Sequence, residues 1–151
     1  MYKAFADKLI EVTDRHAVDI SKQWCDAVRS NPRTPTYNKM SAEECFPRAV
    51  DFYKNFRRIY FSEKPYTEVQ QYFSTYAEQA YKDGIPLSEA IYALIMMRRH
   101  MWLYADFQAF FVTATDHQQA VESITKTIRI FDHGTYLVAR KYEELNKQST
   151  G

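Results

Sequence analysis

The chain has 151 residues, with 12 Tyr, 10 Phe and 2 Trp but only 3 Gly and 5 Pro. This length fits a single domain, 1–151, and the aromatic content excludes intrinsic disorder. Lys plus Arg number 20 against 19 Asp plus Glu, a balance that does not favour nucleic-acid binding. The sequence contains no run of 18 apolar residues, so we expect no membrane insertion.

The N-terminus and the two cysteines predict a cytoplasmic protein. Residues 1–8 lack the apolar segment of a secretory signal. Cys25 and Cys45 have no CxxC spacing, so we expect reduced thiols on helices. A disulfide or redox pair is the alternative.

Apolar residues recur with helical period along the chain and predict an all-α bundle of five main helices. The first helix carries Phe5, Leu9, Val12, His16, Ile20, Trp24 and Ala27 on one face. The fourth is apolar on nearly all sides, which is typical of a central helix. The predicted helices span about residues 2–30, 46–61, 67–82, 86–110 and 115–146. A capping box at 41–44 and one short turn precede the second helix, with Pro47 inside this stretch, and a second capping box precedes the last helix.

The last helix has apolar residues in alternating steps of four and three, a 3.5-residue period typical of a coiled-coil seam. Gly134 lies beside this seam and would permit close helix approach. The stripe is either the packing face of a bundle helix or a surface that also serves in homodimerisation and signal transmission. Its candidate residues are Val121, Ile124, Ile128, Phe131 and Val138.

Three segments carry a family resemblance. They are Ile20–Arg29 (ISKQWCDAVR), Arg33–Tyr37 with the Ser41–Glu44 cap, and Tyr81–Ala90 (YKDGIPLSEA) followed by Arg98 and Trp102. In this order and spacing the chain resembles the N-terminal sensory domain of the RsbT co-antagonist (RsbR-type) stressosome proteins.

The resemblance implies a bacterial stress-signalling sensor with a globin-like fold that lacks haem. Such modules usually precede an output domain, for which this chain, ending at Gly151, has no room. We therefore expect either a sensor region of a longer protein or a sensor acting on a separate partner.

Arg98 and His100 are the charged candidates on the central helix. Arg98 lies on an otherwise apolar stripe and needs an anionic partner if buried. That partner is either an acid on another helix (Asp51, Glu78 or Asp132) or a ligand, unless the side chain is partly exposed. In a globin fold His100, near the middle of the central helix, would be the candidate haem ligand. Its arginine neighbours leave little of the apolar surface that a haem needs, so we expect no cofactor.

An aromatic set on the second, third and fourth helices predicts a semi-polar interior, since buried tyrosine hydroxyls need partners. It is either a packed core or a pocket for a small apolar ligand. The candidate ligand-binding residues are Tyr53, Tyr72, Tyr76 and Trp102, with Arg98 and His100.

The chain shows no nucleophile elbow and no Glu-x-x-His pair, so we expect a non-enzyme. The sequence favours a sensory or interaction domain that transmits a signal through its C-terminal helix to an output partner. A haem- or gas-binding globin and a ligand-free structural dimerisation module are the alternatives.

Overall fold

The computed structural model describes the backbone of residues 10, 13–107 and 114–150, with side chains at 10, 13–64, 66–101, 122 and 125–149. This part of the chain is helical and contains no strand, which confirms the predicted all-α bundle with a long C-terminal helix. The helices are α1 (Ala17–Ser30), α2 (Pro35–Asn38), α3 (Ala42–Tyr60), α4 (Pro65–Lys82), α5 (Leu87–Phe107) and α6 (Ala114–Thr150).

The predicted first helix is interrupted at His16. Residues 13–15 are helical, but His16 has φ −109° and ψ 20°, away from helical values, and α1 begins at Ala17. The prediction of an unbroken helix through His16 is therefore wrong. Its first residues, 2–9, lie outside the described part of the chain.

Proline positions account for two further differences from the prediction. The short helix α2, which the sequence analysis missed, begins at Pro35, where the absent N–H costs nothing. Helix α3 begins at Ala42 and continues through Pro47, so the predicted start at 46 is wrong. Pro47 and Glu43 are both exposed, and water can therefore bond the carbonyl that Pro47 leaves without a donor.

The predicted capping role of Ser41 and the predicted helix end at Gly84 are confirmed. The Ser41 hydroxyl accepts a hydrogen bond from the Glu44 N–H at 3.1 Å. Gly84 has φ 77°; its N–H bonds the Tyr81 carbonyl and the Ile85 N–H bonds the Ala80 carbonyl. These two bonds form a Schellman motif, which needs the left-handed conformation that Gly adopts at low cost.

Helix α5 is the centre of the bundle. Each of the helices α1, α3, α4 and α6 donates one side-chain hydrogen bond to a backbone carbonyl in the first half of α5 or just before its start. Distances are 2.7 to 2.9 Å. The pairs are Trp24 Nε1 (α1) with Ala93 O, Tyr53 Oη (α3) with Met97 O, Tyr76 Oη (α4) with Ala90 O and Tyr142 Oη (α6) with Ile85 O. These bonds satisfy aromatic polar groups inside the core, as the semi-polar interior requires.

A buried carboxylate ties α2 to the start of α5. Glu89 is 4% exposed, and its two oxygens accept hydrogen bonds from the N–H and the hydroxyl of Thr36, both at 2.7 Å. Because Thr36 lies in the first turn of α2, the carboxylate also faces the positive end of that short helix. The buried charge is thereby compensated.

Helix α6 packs against α4 along its length, and among the described residues this helix pair is the most extensive. Gly134 lies against the Phe73 ring: a Cβ added at Gly134 would stand 2.6 Å from two ring atoms. This confirms the predicted close approach at Gly134. Lys141 Nζ pairs with Glu78 Oε1 at 3.1 Å, and the Tyr81 and Tyr142 rings meet edge to face.

None of the helices, within the residues that the structure describes, has the length and apolarity needed to cross a bilayer.

Candidate functional site

A cavity of about 250 Å³ opens between α3 and α4. Its wall on α4 consists of residues at steps of three and four, which share one helix face. Its polar residues on α3 are one helical turn apart, and the remaining lining comes from α1, α2 and α5. The lining residues are Trp24, Tyr37, Arg48, Asp51, Tyr72, Thr75, Tyr76, Gln79, Ala80 and Met97.

Polar groups and aromatic rings occupy different parts of this lining. Asp51, Thr75 and Gln79 are exposed, whereas Trp24 and Tyr37 are almost completely buried. The Trp24 and Tyr37 rings lie edge to face, 5.8 Å apart. The cavity therefore has a polar rim and an aromatic interior, the usual composition of a small-molecule site.

Arg48 is held in place by the end of α4. Its Nη2 lies 2.6 Å from Asp83 Oδ2, and Gln79 Nε2 donates to the other oxygen of the same carboxylate at 3.0 Å. The Arg48 Nε is buried and has no hydrogen-bond partner among the described residues. The guanidinium is thus anchored on one side and retains one unsatisfied donor, which carries a free-energy cost.

Tyr72 contributes a hydroxyl with no hydrogen-bond partner in the described part of the chain. Its ring is fixed by edge-to-face contacts with Phe52 and Phe73. Burial, followed by the negative charge of Asp51, raises the pKa of Tyr72 above its ordinary value. The hydroxyl is therefore protonated at neutral pH and available both to donate and to accept.

Tyr37 and Tyr76 form a hydroxyl pair at the cavity wall. Burial raises the pKa of Tyr37 to about 12, and the hydrogen bond with Tyr76 opposes part of that increase. Burial also raises the pKa of Tyr76, whose hydroxyl donates to Ala90 O. Both hydroxyls stay neutral at physiological pH and already have partners, so they shape the wall rather than offer free donors.

Two of the predicted ligand-binding residues, Tyr72 and Tyr76, line the cavity. Tyr53 lies deeper and donates to Met97 O. Arg98 forms the ion pair foreseen as one alternative, with Nη1 3.7 Å from Asp132 Oδ1. Neither Arg98 nor His100 belongs to the cavity wall, and the structure does not bring them together with Tyr72.

His100 is half-buried, and burial, followed by the positive charge of Arg99, lowers its pKa. The side chain of Trp102 lies outside the described residues. No group of three or more His, Cys, Asp or Glu side chains comes together as a metal site in the described part of the molecule.

The predicted seam of α6 packs into the bundle where its side chains are described. Phe131 contacts Phe52 and Phe56 of α3, with ring centroids 5.5 and 5.3 Å apart. Val138 is fully buried and Ile128 is half-buried. Phe131 and Val138 thus serve the packing face of a bundle helix, whereas the side chains of Val121 and Ile124 lie outside the described residues. Homodimerisation stays a prediction.

Sequence reasoning missed most of the cavity, including Trp24, Tyr37, Arg48, Asp51 and Gln79. The steps 72, 75, 76 and 79 are a visible signal, since they place two tyrosines and two polar residues on one face. Arg48 and Asp51 likewise lie one turn apart on α3. Which helices bring these two faces together depends on packing that a single sequence does not display.

The two cysteines lie together, on α1 and α3. Both are buried and free. Burial and the neighbouring Cys25 thiol raise the pKa of the Cys45 thiol to about 12. A protonated, buried thiol is a poor nucleophile, which agrees with the predicted reduced state.

Comparison of the chain with protein-family models, curated proteins and solved structures found no match.

Proposed function

We propose that this chain is a signalling sensor or interaction domain of the RsbR N-terminal type, in which the α3–α4 cavity receives a small molecule. Occupancy would shift α4 and, through it, the C-terminal helix α6, which would act on a linked or separate output partner. The observation that carries the proposal is that α4 forms a wall of the cavity and also packs along α6.

Adjacent residues of α4 connect the two sides. Tyr72 lines the cavity, whereas Phe73 lies against Gly134 of α6. Because there is no space for even a Cβ between the Phe73 ring and Gly134, a displacement of α4 cannot be absorbed at that point. It would have to move α6 as well.

The far end of α6 is suited to meeting a partner. Glu143, Glu144 and Lys147 are exposed in its last turns. Tyr81 of α4 remains in contact with this region through hydrogen bonds to Asn146 Oδ1 and Ser149 Oγ. A change at α4 therefore reaches a solvent-facing surface, where we expect homodimer or output contacts.

A substitution that occupies the cavity tests the coupling without knowledge of the ligand. Thr75→Trp would place an indole at the cavity mouth, and Thr67→Trp, at an exposed position in the first turns of α4 outside the lining, is the matched control. Hydrogen exchange followed by mass spectrometry would report on residues 125–149. We expect altered protection there with Thr75→Trp only; a change confined to the cavity walls would refute the coupling.

Native mass spectrometry of the purified chain separates this proposal from its alternatives. It reports oligomeric state and any retained small molecule together. A haem-binding globin would take up added haem and show Soret absorption. We expect no such band, because the histidine side chains that the structure describes lie outside the cavity lining.

A further inference from the structure

The size and lining of the α3–α4 cavity indicate the chemical class of its ligand. We infer that it takes an uncharged, flat molecule of about eight to twelve non-hydrogen atoms that carries a carbonyl or hydroxyl oxygen. This inference rests on the proposed function, in which the cavity is the sensing site.

Volume sets the size of the ligand. A cavity of about 250 Å³ corresponds to roughly eight water molecules at about 30 Å³ each. One ring with a short substituent fills that space. A tetrapyrrole or a long acyl chain exceeds it.

The walls favour a flat molecule. Trp24, Tyr37, Tyr72 and Tyr76 provide ring faces and edges, which pack best against another planar group. The Tyr72 ring is fixed by Phe52 and Phe73, and Trp24 is fixed by its bond to Ala93 O. These walls are therefore ordered before the ligand enters, which reduces the entropy lost on binding.

Unused hydrogen-bond donors indicate an oxygen acceptor on the ligand. The buried Arg48 Nε–H has no partner in the described residues. The hydroxyl of the half-buried Tyr72 forms no hydrogen bond with them either and lines the same cavity. A carbonyl oxygen has two lone pairs and can accept from both. A ligand without an acceptor would leave the buried Nε unsatisfied, which disfavours it.

Charge balance excludes a strongly ionic ligand. The Arg48 guanidinium of the lining is already paired with Asp83 at 2.6 Å. The site therefore has no excess positive charge to compensate a carboxylate or phosphate. A cation would meet the Arg48 guanidinium, and the exposed Asp51 is screened by solvent.

Three probes of nearly equal shape separate these properties. Benzamide is uncharged and has an acceptor oxygen, benzoate has the oxygen with a negative charge, and benzamidine is a cation without an acceptor. Each is titrated to about 10 mM against the full chain, a range suited to fragment affinities, with two-dimensional ¹H–¹⁵N NMR. We expect benzamide to bind at least ten times more tightly than the other two, with shifts at the cavity residues.

Tyr72→Phe isolates the hydroxyl. The substitution keeps the ring contacts and removes a group that has no partner, so the unfolding midpoint should be unchanged. Benzamide affinity should fall about five- to ten-fold, the loss typical of one hydrogen bond. Tyr66→Phe, at an exposed site on the same helix, is the matched control and should leave the affinity unchanged.

Arg48→Lys gives an independent test, because it keeps a positive charge near Asp83 and removes the Nε–H donor. We expect weaker benzamide binding here as well. Any one of four results would overturn the inference. These are benzoate binding as tight as that of benzamide, binding outside the cavity, no binding of any probe, and an unchanged benzamide affinity in Tyr72→Phe. None of these results refutes the α4–α6 coupling, which the Thr75→Trp experiment tests separately.

Discussion

Replacing Gly134 with alanine tests the close packing of α4 and α6 directly. The added Cβ would lie 2.6 to 2.7 Å from three atoms of the Phe73 ring, whereas ordinary carbon contacts are about 3.5 to 4.0 Å. The ring must therefore move by about 1 Å. Phe73 is fully buried, and its neighbours Phe52 and Tyr72 are themselves packed.

Two opposing contributions set the expected magnitude. Gly→Ala inside a helix favours folding by about 1 kcal/mol. Overpacking a rigid core costs about 1–3 kcal/mol, and we expect the upper part of that range because the ring has no free space. The net loss of unfolding free energy is then about 1–2 kcal/mol, or roughly 2–8 °C in Tm for a domain of this size.

Urea unfolding of wild type and Gly134→Ala, followed by far-ultraviolet circular dichroism, measures this change. The double variant Phe73→Leu/Gly134→Ala supplies the control, since the smaller side chain makes room for the methyl group. The two substitutions should then be non-additive by about 1–2 kcal/mol. If Gly134→Ala instead stabilises the chain by about 1 kcal/mol, as at an exposed helix position, the close approach described above is wrong.

Further predictions concern the tyrosines, the thiols and the last helix. Because burial raises the pKa of Tyr37 to about 12 and those of Tyr53 and Tyr76 above their ordinary value, the unfolded chain loses these protons first. Stability is then fully present below pH 10 and falls as pH rises towards 12, by up to about 1.4 kcal/mol per pH unit per buried tyrosine. Urea midpoints at pH 9, 10 and 11 measure the decline, Tyr53→Phe should lessen it, and constant midpoints would contradict it. Cys25 and Cys45 should resist Ellman's reagent at pH 8 and react fully in 8 M urea; rapid reaction of the native chain would argue against the burial of the two thiols. Ile128→Asp should weaken the expected homodimer in light scattering, whereas Arg129→Asp, at an exposed neighbour, should not; a monomeric wild type would remove the basis for a dimer seam.

Local signals in the sequence were sufficient for the fold class and several boundaries. Gly84 marks the end of α4 because a left-handed residue is needed there, and the Ser41 hydroxyl marks the start of α3. The same local reasoning was wrong at Pro47, because the missing hydrogen bond falls on the solvent side of α3. Local propensity does not indicate which side of a helix faces water.

The candidate site was only partly predictable, because it is made by packing. Tyr72 and Tyr76 were identified from helical spacing alone. Arg48 becomes significant only through Asp83, 35 residues further along the chain. The apolar stripe around Arg98 indicates a buried site for that arginine, yet its partner Asp132 is 69% exposed, so the pair lies near solvent.

The aromatic donors around α5 have a consequence for the uniqueness of the fold. A helix that is apolar on nearly all sides has no preferred rotation about its own axis, since every orientation buries similar surface. Hydrogen bonds are directional, and the acceptors inside the helix, from Ala90 to Met97, extend over about 10 Å of its axis at 1.5 Å per residue. Four donors at fixed angles select one rotation and one axial position of α5, so much of the aromatic excess of this chain encodes orientation as well as hydrophobicity.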